Sequence, residues 1–276
     1  MQLTRNERRA GLAVVTGLAL VWLVPVAMML AVAFMPPGTR APAFGGLAIE
    51  GISTANFQAV FQDAPIVRHL VNSLIITGAS VALVVLLGSL AAYGFSRVAF
   101  RGKEVCFYLL ILTLMLPIPG LIVPLFQINK QLGMLDSYMG LILPYTALGT
   151  PFAVIVLRSF FDTLPRELEE AATIDGCSLF GIWWRIIMPL SWPAVSVVVI
   201  FQFMTSFNEF ILALVTIDST ELKPLTLVPL IYSGQFMARP GVMFAVLTLI
   251  TLPVILVYVL MQRFMIRGLT AGGVKG

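Results

Sequence analysis

Charged side chains are scarce in this sequence. Asp, Glu, Lys and Arg together make up 11% of its 276 residues, while 59% are hydrophobic. Soluble domains average about 25% charged and 45–50% apolar residues, so this composition excludes an ordinary soluble protein. Apolar runs of about 20 residues are long enough to cross a bilayer as helices. Six such runs predict an all-α, polytopic membrane protein with spans at 11–34, 70–95, 105–128, 138–160, 192–217 and 242–266.

Positive charge is unevenly distributed between the predicted loops. If both termini are cytoplasmic, twelve of the seventeen lysines and arginines lie on the cytoplasmic side. The positive-inside rule selects this topology. It divides the chain into a cytoplasmic segment (1–10), a transmembrane domain (11–266) and a cytoplasmic tail (267–276). The net charge of +4 forms no cluster dense enough to indicate nucleic-acid binding, and the expected surroundings are lipid.

The basic N-terminus and first apolar run also resemble a signal peptide, and Ala31-Val32-Ala33 would fit a cleavage site. The apolar part of a signal peptide is 7–15 residues long, whereas this run exceeds 20. A retained first helix that acts as a signal anchor is therefore favoured, and a cleaved leader is the alternative.

Histidine and cysteine are nearly absent. A histidine-based metal cluster cannot be built from His69 alone, and we expect no metal site. Cys106 and Cys177 both lie on the predicted cytoplasmic side, where a reducing environment favours free thiols. No nucleophile and base occur at a credible catalytic spacing, so no catalytic residue is assigned.

The phosphate-binding pattern G-x-x-x-x-G-K-[ST] is also missing. The chain therefore cannot hold nucleotide phosphates by that device, and no cofactor is expected on it. Any process of this chain that is driven by nucleotide hydrolysis must therefore take its energy from another protein.

The stretch from Pro165 to Gly176 predicts a short helix in a cytoplasmic loop. Proline fits the first turn, three glutamates follow where the helix dipole favours negative charge, and Gly176 provides a stop. Leu168, Ala171, Ala172 and Asp175 lie at helical spacings that place them on one face. The pattern fits a docking helix, and it fits equally an amphipathic helix lying on its own membrane domain.

The order of residues in this loop resembles the EAA loop of permease subunits of bacterial binding-protein-dependent ABC importers, especially the maltose-type branch. The matching positions are Glu170, Ala171, Ala172, Gly176, Ile186 and Pro189, with Met188 where the family usually has Leu. The resemblance implies that a coupling loop at about 161–191 fits a cleft on an ATPase subunit. The implied docking residues are Glu170, Ala171, Ala172, Asp175, Gly176, Ile186 and Pro189.

The same resemblance implies the partners. They are a second, larger permease subunit, two ATPase subunits that bind ATP and Mg²⁺, and an extracytoplasmic solute-binding protein, at the bacterial inner membrane. The implied cargo is a carbohydrate or a related solute such as a glycerophosphodiester. Taken alone, the glycine-rich end reads as a disordered tail. The resemblance implies instead that it contacts the ATPases through Gly272, Gly273, Val274, Lys275 and Gly276.

Two spans contain residues that are unusual in a membrane helix. The third has Pro117, Pro119 and Pro124, which predict a kinked helix that is buried or faces a pore, or a kink of purely structural use. The fifth has Asn208 and Glu209. An acid in the bilayer costs about 2.5–3.5 kcal/mol on insertion scales, so Glu209 marks either the translocation path or a structural pair with another helix. An ion-coupled secondary transporter using Glu209 is the alternative function.

Overall fold

A computed structural model describes residues 5–39, 51–232 and 239–272. Within those ranges every regular element is helical. The α-helices are α1 (Arg5–Ala33), α2 (Ala55–Asp63), α3 (Ile66–Arg97), α4 (Lys103–Leu112), α5 (Ile118–Gln131), α6 (Met139–Phe161), α7 (Glu167–Ile174), α8 (Leu179–Ile182), α9 (Met188–Leu190), α10 (Trp192–Phe207), α11 (Ile211–Thr216) and α12 (Pro240–Gly272). Short 3₁₀ helices cover Thr113–Met115 and Leu225–Tyr232, and a π-helical turn covers Trp183–Ile187.

Four continuous helices are long and apolar enough to cross a membrane, at Gly11–Ala33, Ile66–Arg97, Met139–Phe161 and Pro240–Gln262. Two bent pairs bring the number to six if each pair is one span: Lys103–Met115 with Ile118–Gln131, and Leu179–Leu190 with Trp192–Phe207. The six predicted apolar runs therefore all become helical, but the third and fifth are not single helices.

The third predicted span bends by 105° between its two halves. Leu116 has an extended backbone because the proline that follows disfavours the helical conformation, and Pro117 itself is extended. The predicted kink is confirmed. Among the described residues, α4 has no buried side chain and α5 has only Asn129, whereas Leu116, Ile118 and Ile122 line a cavity. The alternative of a buried or a pore-facing helix stays a prediction.

The fifth predicted span, 192–217, is interrupted. Helix α10 ends at Phe207, and α11 begins at Ile211. The preceding helical segment meets α10 at an angle of 81° around Ser191. No proline or glycine lies between residues 207 and 211, so the breaker residues that indicated the first bend gave no signal for this interruption.

One compact unit of the chain comprises residues 67–227 and 253–276. Its core has two parts. One contains the C-terminal half of α3, the C-terminal half of α6 and the side chains of Trp183, Ile187 and Val198. The other contains Ile76 of α3, the start of α6 and α11. The first part holds the 161–191 segment against the ends of α3 and α6.

Helices α3 and α6 approach closely within this unit. A Cβ atom added to Gly88 would lie 2.7 Å from Cβ of Ala153, which is itself fully buried. Small residues allow this approach, as expected for packed membrane helices. Gly88 therefore lies on the face of α3 that packs against α6.

The other compact unit comprises residues 1–66 and 228–252. Asn56 anchors helix α2 by donating from Nδ2 to the carbonyl oxygens of Ala33 (3.1 Å) and Met35 (2.8 Å). Most apolar side chains of α1 are exposed.

The end of the chain differs from the predicted boundary at 266. Helix α12 continues to Gly272, so at least part of the predicted 267–276 tail is helical. Gly273, Val274, Lys275 and Gly276 lie outside the described residues.

Candidate functional site

The predicted loop helix is present as α7, Glu167–Ile174, with three glutamates in its first turn. It ends in a Schellman arrangement. The N–H of Gly176 donates to the carbonyl of Thr173 (3.0 Å), and the N–H of Cys177 donates to the carbonyl of Ala172 (2.9 Å). Gly176 has φ +78°, a conformation that side chains with a Cβ adopt at a cost. The predicted helix stop at Gly176 is therefore confirmed in its geometry.

An ion pair fastens α7 to the end of α3. Nε of Arg97 lies 2.5 Å from Oε1 of Glu169, and the two side chains are only 7% and 14% exposed. The same guanidinium donates from Nη2 to the carbonyls of Phe161 (2.7 Å) and Leu164 (2.9 Å), and the Tyr93 hydroxyl donates to Glu169 (3.4 Å). One arginine thus joins the end of α3, the end of α6 and the loop helix.

Sequence reasoning missed this anchor. By sequence alone, Arg97 is one of several positive charges that favour the orientation, and Glu169 is one of three acids in the first turn of the loop helix. The available signal was a basic residue at the end of a span together with an acid at the start of a loop helix. Arg97 and Glu169 can be paired only if the loop is known to fold back on α3, and no local sequence pattern predicts this.

The predicted docking residues do not all share one surface. Glu170, Ala171, Asp175, Gly176 and Pro189 are exposed, and Ile186 is half-buried. Ala172 is buried and belongs to the core beneath α7. The prediction that both alanines lie on the same docking face is therefore wrong for Ala172, because α7 uses that position to pack on its own membrane domain. Ala171 remains on the outer surface.

A groove of about 370 Å³ lies between α7 and α8. Its outer residues include Arg166, Glu170, Thr173, Ile174 and Leu179, and we call it the α7–α8 groove. Ile174 is 86% exposed and Leu179 is 63% exposed. An acid beside two exposed aliphatic side chains is a surface suited to a protein partner. Sequence reasoning identified Glu170 here and missed Ile174 and Leu179.

The second half of the loop runs from Ser178 to Pro189 and packs against the core. Ser178 caps α8 by accepting from the N–H of Gly181 (3.2 Å). The following π-helical turn carries Trp183 and Ile187, which are buried in the core, while Ile186 packs at its edge. This half of the loop holds α7 in place. Ile186 and Pro189 belong to this half and do not line the α7–α8 groove.

A separate cavity of about 210 Å³ lies beside Glu209. Glu209 accepts from the Tyr145 hydroxyl (2.7 Å) and from the N–H groups of Leu212 (2.8 Å) and Ala213 (3.0 Å). The same carboxylate therefore caps α11 after the break in the fifth span and borders the cavity. These contacts agree with the structural interpretation of Glu209, and its role in the translocation path stays a prediction.

Asn208 takes a different position. Its side chain is exposed and donates to the carbonyl of Met204 (2.8 Å), and it is not among the residues that line the cavity. The residues that do accompany Glu209 are Gln202, Thr205, Ser206 and Tyr145. Gln202 donates to the carbonyl of Tyr145 (3.1 Å) and to Ser206 Oγ (2.7 Å).

The sequence matches the family described as "Binding-protein-dependent transport system inner membrane component" over residues 84–271. Three relatives are permease proteins of named systems. The sulfoquinovosyl glycerol transport system permease SmoH of Agrobacterium fabrum is 37% identical over 222 residues, covering 80% of this chain and 78% of that protein. The arabinooligosaccharides permease AraQ of Bacillus subtilis is 33% identical, covering 94% and 92%. The trehalose permease SugB of Mycobacterium tuberculosis is 32% identical, covering 92% and 93%.

The fold is also similar to solved structures. One is a chain of a bacterial ABC transporter involved in the import of the acidic polysaccharide alginate, with a TM-score of 0.79, 22% identity, and coverage of 95% of this chain and 99% of that one. That likeness supports the fold. Since the family match covers more than half of the sequence and the relatives match over most of their length, this chain belongs to the family of inner-membrane components of binding-protein-dependent transport systems.

Proposed function

We propose that the chain is the smaller permease subunit of an ATP-driven importer for a carbohydrate. The observation that carries this proposal is the combination of an exposed α7–α8 groove with the largely buried Arg97–Glu169 ion pair, whose residues also line that groove. If α7 only covered its own membrane domain, the ion pair would hold it there, but the exposure of Ile174 and Leu179 would have no role. The named relatives SmoH, AraQ and SugB serve sugar-containing solutes, which supports the cargo class.

The mechanism follows from the positions of the contacts. A partner ATPase subunit binds the α7–α8 groove, with a basic side chain facing Glu170. When ATP binding at Mg²⁺ closes two such ATPases, each pulls its docking helix. Because Arg97 ties α7 to α3 and α6, the pull reaches the membrane helices rather than only unfolding the loop. Hydrolysis and release reset the path.

The remaining assignments complete the proposed complex. A second, larger permease subunit stands beside this one, and a soluble binding protein delivers the solute from outside. Both termini of this chain lie in the cytoplasm, as its loop charges favour. The end of the chain, Gly272 to Gly276, contacts the ATPases. A glycerophosphodiester is the second candidate cargo.

Uptake into proteoliposomes tests the proposal. The complete complex, with its binding protein added outside and ATP inside, should accumulate at least one labelled sugar from a panel of arabinotriose, trehalose and glucosylglycerol. Removal of ATP should abolish uptake, and this chain reconstituted alone should take up nothing. The ion-coupled alternative makes the opposite prediction: uptake by this chain alone, driven by an ion gradient and independent of ATP.

A further inference from the structure

Of the residues that the structure describes, those lining the cavity beside Glu209 include one acidic side chain and no lysine, arginine or histidine. Tyr145, Gln202, Thr205 and Ser206 supply neutral polar groups, and the rest of the lining is mostly leucine, isoleucine and phenylalanine. Its volume of about 210 Å³ equals about seven waters at roughly 30 Å³ each, which is on the scale of one sugar ring.

The acid is held so that it can accept a hydrogen bond from a ligand. A carboxylate has about four acceptor positions. Three are taken by the Tyr145 hydroxyl and the N–H groups of Leu212 and Ala213, all of which are donors. An ionised carboxylate suits this set because it only accepts. One position is left for a further donor, such as a hydroxyl group.

The polar floor of the cavity is preorganised. Gln202 and Ser206 are buried, and Gln202 is fixed by its bonds to Tyr145 and Ser206. A Cβ at Gly149 would collide with the Gln202 carboxamide, so the glycine leaves the space that this side chain occupies. Buried, mutually bonded groups of this kind keep their orientation when a ligand arrives.

An apolar wall stands beside the polar floor. The rings of Phe152 and Phe201, which both line the cavity, are stacked with centroids 3.9 Å apart. Sites for small ligands typically combine aromatic walls with a few placed polar groups. A sugar ring has an apolar C–H face and a rim of hydroxyl donors, so it matches both parts.

We propose that this cavity is a subsite of the chain's own for one uncharged sugar ring, and that Glu209 makes it select against solutes carrying a sulfonate or carboxylate. The inference rests on the proposed import function and narrows its cargo to neutral sugars. Two like charges placed a few ångströms apart in a partly buried site repel strongly enough to change binding by about tenfold or more.

Equilibrium dialysis of the complete complex in lipid nanodiscs, without the binding protein, measures the preference of the permease directly. The probes are labelled glucosylglycerol and labelled sulfoquinovosyl glycerol, which have nearly the same shape and differ in charge. The wild-type complex should bind the neutral probe at least about tenfold more tightly. Glu209→Gln keeps the shape and removes the charge, so it should narrow the ratio to within about threefold.

Two further variants separate selectivity from folding. Thr205→Lys adds a cation to the cavity while leaving Glu209 and its three donors in place, and it should also shift the ratio towards the sulfonate. Glu221→Gln is the matched control, because Glu221 is an exposed acid that pairs with Arg68 and does not line the cavity. Its ratio should equal that of the wild type.

Equal binding of both probes by the wild type would overturn the inference, and so would an unchanged ratio in Thr205→Lys. A Glu221→Gln ratio that moves as far as that of Glu209→Gln would also overturn it, since net charge rather than the cavity would then set the preference. The proposed function is judged separately. ATP-driven uptake of any sugar by the wild-type complex upholds that function even if the dialysis ratios show no preference.

Discussion

Replacing Arg97 with methionine tests the anchor of the loop helix. Methionine keeps much of the apolar stem of the arginine and removes the guanidinium. Glu169 is then left as a buried carboxylate whose only remaining side-chain partner is the Tyr93 hydroxyl at 3.4 Å. The carbonyls of Phe161 and Leu164 lose their donor at the same time.

The expected magnitude follows from the burial of the pair. With exposures of 7% and 14%, the two side chains are largely shielded from solvent, so the screening that makes surface ion pairs weak is reduced for this pair. Breaking a buried pair by removing one member costs about 3–5 kcal/mol. Replacing both members is far less harmful, so Arg97→Met with Glu169→Met should recover much of the loss.

The chain contains its own probe for this test. Cys177 follows the helix stop and packs at the edge of the core, and Cys106 can be changed to serine to leave a single thiol. A loss of about 3 kcal/mol raises the open population of α7 more than a hundredfold. Maleimide labelling of Cys177 should therefore accelerate at least tenfold in Arg97→Met and fall back in the double variant.

The control is Arg101→Met, which removes a charge from the same turn at an exposed position. Its labelling rate should match that of the parent. The reasoning is refuted if Arg97→Met labels no faster than Arg101→Met, or if the double variant labels as fast as Arg97→Met.

Three other predictions follow from the described residues. Gly176→Asp should abolish ATP-driven uptake while membrane insertion stays normal, because a side chain at φ +78° costs about 1–3 kcal/mol and changes the direction of the chain that leads to Pro189. Glu170→Ala should only weaken co-purification of the ATPase. Wild-type values for both variants would exclude this loop as the coupling element. The N–H groups of Ser219 and Asp218 donate to the Asp136 carboxylate and lower the pKa of Asp136 below 3.8. Asp136 therefore helps to hold residues 218–219 in place above pH 3.8, and this stabilisation is lost as the pH falls through the lowered pKa. Protease sensitivity of residues 218–219 should rise as the pH falls through this lowered pKa in the wild type but not in Asp136→Asn, which keeps the acceptor. Parallel curves would contradict the assignment. Deletion of residues 273–276 should lower solute-stimulated ATP hydrolysis while all spans insert, and full activity would show that the end is dispensable.

The features predicted from the sequence are those determined by neighbouring residues. Long apolar runs specify α1 and α6 by themselves, Pro117 specifies a bend because of what it does to Leu116, and Gly176 specifies a helix stop. The size of the bend does not follow from the proline, since packing of the two halves decides it.

The features that were missed depend on distant parts of the chain. Ala172 has the same side chain as Ala171, and only the core below α7 makes one buried and the other exposed. The break before α11 has no breaker residue, and it is stabilised by Tyr145 from another helix together with Glu209. Arg97 and Glu169 are 72 positions apart, so their pairing is a property of the folded loop.

The close contact between Gly88 and Ala153 couples the movements of α3 and α6. Their surfaces meet without an intervening side chain that could change rotamer, so one helix cannot slide past the other without separating them. Arg97 lies nine residues beyond Gly88, about 13 Å along the helix. A displacement imposed at that tip therefore turns two membrane helices about a shared contact, and the position of this contact along α3 sets how far the movement reaches.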